Sequence, residues 1–221
     1  MTTTPTATLT DVHDMVVVHR VFRREFRMLP ELVREVAPGD TARAAVLAEH
    51  GRLLLKGLHG HHTSEDLLLW PKLLDRCAPD AELVHRMEAQ HDRVHDAIER
   101  IGPALQRWEA EARPAVTEEV AAAFDDLRVA LLEHLDDEER EILPMAARHI
   151  TQAEWNELGE HGVGETKKRL LPILFGAVAE EATPEEMVHI LSTVPAPVRF
   201  LLRTVFAKQY ARYISRVRTA R

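Results

Sequence analysis

Apolar residues over the first 150 positions recur in alternating steps of three and four, and four such seams can be traced between short breaks. The first runs through Val12, Met15, His19, Phe22, Phe26, Leu29, Val33 and Val36, about seven turns of an amphipathic helix. It opens near Thr10 or Asp11, either of which suits an N-cap, and Pro30 within it predicts a kink or a second segment. The turn-forming stretch APGDT at 37–41 then leads into a helix reaching about Arg76. Its seam is Leu47, Gly51, Leu54, Leu58, His61, Glu65 and Leu68. Ala78, Pro79 and Asp80 make the next turn. A third helix follows to about Ala112, with Val84, Met87, His91, Val94, Ile98, Ile101, Leu105 and Trp108 as its seam and Gly102 and Pro103 bending it late. Pro114 and Thr117 open a fourth, seamed by Val120, Phe124, Leu127, Leu131, His134, Glu138, Ile142 and Met145.

Four long helices joined by turns of a few residues predict an all-α protein, an antiparallel up-down-up-down four-helix bundle with a C-terminal helical extension. The expected division is a flexible tail over 1–9, the bundle over 10–150 and the extension over 151–221. In the extension, Thr151 with Glu154 and Thr183 with Glu186 fit capping boxes, and a segment from about Glu165 to Glu180 is expected to be helical. The last helix is basic and amphipathic, with no acid after Glu186. Docking on the bundle is its first expectation, a homodimer through it the second, and membrane contact the least favoured.

Each seam is interrupted by polar residues, and the interruptions repeat. HGHHTSEDLLLWP at 59–71 is echoed 73 positions later by HLDDEEREILP at 134–144, pairing His61 with His134, Glu65 with Glu138, Asp66 with Glu139, Leu69 with Ile142 and Pro71 with Pro144. A rise of 1.5 Å per residue puts His19 and His61 about 27 and 30 Å from the first turn, so they are level. The same count levels His61 and Glu65 with His91 and His95 across the second turn, and His91 with His134 across the third. Burying such groups costs several kcal/mol unless they are paired or bound to metal. His19, His61, Glu65, His91, His134 and Glu138, with His95 one turn beyond His91, therefore predict a metal cluster. The seam selects His61 over His62 and Glu65 over Asp66, which leaves His59, His62, Asp66 and Glu139 as supporting residues around the ligands. The other histidines, His13, His50, His85, His149, His161 and His189, are read as surface or capping residues.

Seven imidazole and carboxylate ligands exceed one tetrahedral zinc site and suit two ions. With no thiolate in reach, two non-haem iron ions bridged by oxo or hydroxo oxygen match best, the two glutamates spanning the pair. Composition narrows the setting. The chain has 13 histidines against 2 tyrosines and a net charge of −8, which opposes nucleic acid as a main partner. Its apolar runs fall well short of the roughly 20 residues a membrane span needs. MTTTPTATLTD carries neither a basic start nor an apolar run, so a signal peptide is not expected and the cytoplasm is the expected location. Cys77, the single cysteine, is read as an inert helix-end residue.

The pattern resembles the hemerythrin-like, or HHE cation-binding, proteins: a histidine on the first helix, His-x-x-x-Glu on the second, one or two histidines on the third, and a histidine followed by an acid on the fourth. The resemblance covers about 10–150 and implies that His19, His61, Glu65, His91, His95, His134 and Glu138 hold two irons. The oxygen-carrying type has its fourth-helix acid five residues after the histidine, which here would be Glu139; the seam and the duplication favour Glu138. The extension resembles the tail of actinobacterial hemerythrin-like proteins. What the resemblance implies is a small partner, a diatomic or peroxide, bound or turned over at iron. Peroxide disproportionation is the favoured reaction, a non-catalytic module that binds or senses oxygen or iron the alternative, and a structural bundle with an incidental metal the third.

Overall fold

The computed structural model describes residues 9–164, 167–192 and 194–219; the remainder of the proposed N-terminal tail lies outside them. The bundle helices are α1 (His13–Arg34), α2 (Thr41–Leu68), α4 (Ala81–Glu111) and α5 (Pro114–Asp137), with a short α3 (Trp70–Arg76) after α2. The fourth bundle helix continues through a π-helical turn, Glu138–Ile142, into α6 (Leu143–His149). Beyond it lie α7 (Gln152–Gly164), α8 (Leu171–Glu181), α9 (Pro184–Ser192), α10 (Ala196–Leu201) and α11 (Ala207–Arg218), the last preceded by a second π-helical turn at 202–206. The described residues hold no strand.

Local chemistry sets the boundaries. Asp40 caps α2 by accepting from the Arg43 N–H at 2.9 Å, and Gly39 supplies the left-handed turn before it at φ 81°. Pro30 and Pro103 lie inside continuous helices rather than ending them. Two prolines act more strongly. The missing N–H of Pro71 accompanies the break after Leu68, whereas the equivalent Pro144 follows a widened π turn. A proline cannot donate to the carbonyl four residues back, and the duplicated halves accommodate that loss differently.

Contacts at the helix ends establish the antiparallel order. Thr10 at the start of the first element donates to the Ile150 carbonyl beyond the fourth at 2.5 Å, and Arg34 at the end of α1 meets Glu118 at the start of α5 at 2.8 Å. Trp108 Nε1–H, late in α4, donates to Thr117 early in α5 at 2.9 Å.

The interior is two apolar bodies with a polar layer between them. One, with Phe22, Phe26, Leu58, Val94, Phe124 and Leu131 among its members, fills the bundle toward the α1–α2 turn. The other gathers Met15, Trp70, Met87, Ile142, Met145 and Trp155. Along every bundle helix the chain passes from one body to the other through the polar residues.

The extension closes over this frame. Both expected capping boxes are reciprocal: Glu154 N–H meets Thr151 Oγ1 at 3.3 Å while Thr151 N–H meets Glu154 at 3.0 Å, and Thr183 and Glu186 do the same. Part of the expected helix over 165–180 falls outside the described residues, and α8 begins at Leu171 with Pro172 in its first turn. The basic helix α11 docks on the bundle. Val217 is buried in the larger apolar body, and Arg43 of α2 donates to the carbonyls of Arg216 and Val217 at 2.6 and 2.5 Å. Gly176 of α8 faces Tyr210 of α11 so closely that a Cβ there would overlap the ring. No helix among the described residues is long and apolar enough to cross a membrane.

Candidate metal centre

His19, His61, Glu65, His91, His134 and Glu138 meet in the polar layer, and His62 joins them. Two ligand groups form there, His19, His61, Glu65 and Glu138 in one and His62, Glu65, His91 and His134 in the other. Within each group one ligand atom per residue lies within 4.8 Å of all the others. Donors sharing one ion through bonds of about 2.1 Å span at most about 4.2 Å, so a small adjustment closes either group on a cation. Glu65 belongs to both. Its Oε1 is 3.2 Å from His61 Nε2 and its Oε2 is 3.4 Å from His91 Nε2, one oxygen for each half. Glu138 Oε2 lies 3.3 Å from His19 Nε2 and 3.5 Å from His134 Nε2.

The outer nitrogens of three imidazoles are committed. His19 Nδ1 is 2.9 Å from Glu139 Oε1, which Arg23 also holds at 2.5 Å. His91 Nδ1 is 2.7 Å from Asp66 Oδ1, which accepts Trp70 Nε1–H at 2.9 Å as well. His134 Nδ1 is 3.3 Å from Gln90 Oε1, and the Gln90 amide donates to Asp137 at 2.9 Å. An acceptor at Nδ1 places the proton there and turns the Nε2 lone pair inward. Inward nitrogens consequently face each other, His19 with His61 at 3.3 Å and His91 with His134 at 3.2 Å. Lone pairs so opposed are repulsive until a proton or a cation comes between them.

The electrostatics express the same demand. Burial, and then the neighbouring charge of His19, hold His61 down at about 3. Burial and the surrounding imidazoles hold His62 well below its ordinary value. Burial likewise depresses His134 to about 4. Against the pull of burial, Glu138 and Glu139 raise His19 to about 9, and Asp66 and Glu65 raise His91 similarly. Glu65 is pushed up by burial and by Glu138, while Glu138 is driven down, despite burial, by His19 and its neighbours.

The test of fit to a metal is the set of buried atoms left without hydrogen bonds. Both oxygens of Glu65, both of Glu138 and Nε2 of His62 have no hydrogen bond among the described residues; the other two such atoms, Arg20 Nε and Arg218 Nε, belong to guanidiniums already paired with Glu186 and Glu180. Orphaned buried carboxylates cost several kcal/mol, and a cation in the layer answers all five atoms together. The residues fit.

Four histidines lie elsewhere than the sequence suggested. His95 is exposed and lies in neither group, its ring instead 5.5 Å from that of His59. The buried face of α4 runs on through Val94, Ala97 and Ile101, which turns His95 outward. His62, expected to flank the site, is 5 % exposed and inside it. A residue turns about 100° from the one before it, so His61 and His62 straddle Glu65, three and four residues on; a face that opens on a central layer is wide enough for both. Asp66 and Glu139 do support ligands, whereas His59 touches none of them. His50, read as a surface residue, is buried: its Nε2 is 3.1 Å from Glu25 and its Nδ1 2.8 Å from the Tyr213 hydroxyl. The Nδ1 partner Gln90 went unnoticed in the sequence; its place one residue before His91 was the available signal.

A cleft of about 90 Å³ reaches the layer from outside, lined by His59, His62, Thr63 and Asp66 of α2 and His91, Asp92, His95 and Ile98 of α4. Against this geometry, a family model described as the hemerythrin HHE cation binding domain matches residues 10–146. No curated protein matches the chain, and no solved structure does.

Proposed function

The chain belongs to the hemerythrin HHE cation-binding family, and from that premise we propose that its polar layer holds two non-haem irons and reacts there with peroxide, with oxygen and nitric oxide as further ligands. The carrying observation is Glu65, whose two unpartnered oxygens face the two ligand groups separately. His19, His61 and Glu138 would complete one iron's protein ligands, and His62, His91 and His134 the other's. Iron would supply the electron exchange and the coordination position that peroxide disproportionation to water and oxygen requires.

The chain's own residues prepare that chemistry. Glu139, Asp66 and Gln90 fix the tautomers of His19, His91 and His134 through their Nδ1 atoms, which raises their basicity as ligands. The apolar bodies on either side restrict bulk water to the cleft. Phe22 and Trp70 close against His61 and His91, with ring centres 5.3 and 5.5 Å away. One observation favours the alternative of binding or sensing without turnover. Asp66 and Glu139, the acids nearest the ligands, are already committed to imidazoles and offer no unengaged proton carrier.

Metal analysis with an optical spectrum tests the reading. The expected result is about two irons per chain, the count given by two ligand groups, with a near-ultraviolet charge-transfer band. His134→Ala should lose metal and His149→Ala, an exposed site, should keep it. Zinc alone, or equal iron in both variants, would overturn the proposal. Oxygen release from added peroxide then separates turnover from binding.

A further inference from the structure

The cleft beside the polar layer has a chemistry that the buried ligands do not use. At its mouth stand two exposed imidazoles from different helices, His59 of α2 and His95 of α4, with ring centres 5.5 Å apart. Two imidazoles sharing one tetrahedral cation through bonds of about 2.0–2.1 Å hold their ring centres roughly 5 Å apart. Exposed Asp92 and half-exposed Asp66 line the same cleft. At its inner end are His62, whose buried Nε2 has no partner, and His91. Donors of one kind therefore run from solvent to the ligand groups.

We infer that His59 and His95 form a two-imidazole outer capture site for divalent metal, from which the ion passes by way of His62 into the buried layer. This rests on the reading that the layer holds iron. The physical need is plain: a hydrated divalent cation entering between apolar bodies must exchange its waters for protein donors in stages, because shedding them all at once into a low-dielectric interior is prohibitive. The two outer imidazoles replace the first waters. The cleft has room for several of the remaining ones. Its acidic rim concentrates cations, and clefts lined by one sign of charge raise capture rates by about 10–10³.

The experiment has two readings. Nickel(II) is titrated into the full-length protein whose iron content has been measured. One nickel per chain beyond the buried ions is expected, lost in the His59→Ala/His95→Ala double variant and kept in His85→Ala, an exposed histidine paired with Glu88 away from the cleft. Ferrous ion is then mixed anaerobically with chelator-stripped protein, and uptake is timed with a colorimetric chelator. The double variant is expected to load about tenfold more slowly and to reach the same final iron, with an unchanged unfolding midpoint. Loading at the wild-type rate, or nickel binding untouched by the double substitution, overturns the capture site. Failure of every variant and the wild type to take iron refutes the buried iron reading instead, while the nickel titration still judges His59 and His95.

Discussion

Two buried groups of acids and imidazoles share α1 and α2, and they differ in whether they are complete. In the first, Glu25 and His50 are fully engaged. Glu25 Oε1 accepts from Arg24 at 2.8 Å and Arg218 at 3.0 Å, its Oε2 meets His50 at 3.1 Å, and His50 Nδ1 meets Tyr213. In the second, six residues earlier on α1, His19 faces carboxylates and nitrogens whose partners are missing. The same residue types at similar depth thus do opposite jobs. A closed network ties the C-terminal extension to the bundle, and an open one awaits a cation. Burial alone does not identify a metal site; several unanswered carboxylate and imidazole atoms gathered in one layer do, whereas the lone Arg218 Nε beside Glu25 does not.

The sharpest way to break the comparison is Glu25→Ala. It leaves His50 Nε2 without a partner and takes one acid from Arg24 and Arg218, which keep Glu180 and Glu181, and should cost about 3 kcal/mol in metal-free and metal-loaded protein alike, measured by urea unfolding. Burial would raise the Glu25 carboxyl, but His50 and Arg24 outweigh it and hold it at about 2 against an ordinary 4.5. Its folded pKa lies below the unfolded one, so its contribution, about 3 kcal/mol at 1.36 per unit, is complete above pH 4.5 and lost as pH falls toward 2. The gap between wild type and variant should narrow over that window. A gap independent of pH would mean the carboxylate is not the cause.

Glu65→Gln should act in the reverse sense. In chelator-treated protein at pH 8 it removes a buried carboxylate that has no hydrogen bond, and its amide can donate to the Nε2 lone pair of His61, which burial keeps neutral, so stability should rise by about 1–3 kcal/mol. Because burial and Glu138 raise the Glu65 carboxyl, this gain should fade as pH falls and the wild-type group protonates. The same variant should bind less metal. Lower metal-free stability in the variant would show that the open network is not strained. Smallest is Tyr213→Phe, which deletes one hydrogen bond to His50 and should cost about 1 kcal/mol with metal content unchanged; a fall in metal content would join the two networks into one.

What the chain disclosed in advance follows from periodicity. Residues placed by one helix's inward stripe, such as His19, His91, His134 and Glu138, were readable because a step of three or four decides burial. His62 was not, since a seam one residue wide cannot represent a helix face opening on a central layer. His95 met the spacing rule, and only the course of α4 toward Ala97 and Ile101 turns it outward. His50 depended on a partner 163 positions away, and no local pattern reports which helix will cover a given face. The π turn at 138–142 was equally hidden, although Pro144 and its counterpart Pro71 marked both places where helical bonding had to change.

Gly176 touches neither network, yet it governs one of them at a distance. By presenting no side chain it lets α11 settle onto α8 at Tyr210, and Tyr213, the next turn of the same helix, then falls within reach of His50. The hydrogen atom at that one position works as a spacer whose thickness sets the registration of the whole C-terminal helix. Any methyl group inserted there would act like a shim, lifting the tail from the bundle and unseating a hydroxyl, an imidazole and a carboxylate in turn, without altering any of the three.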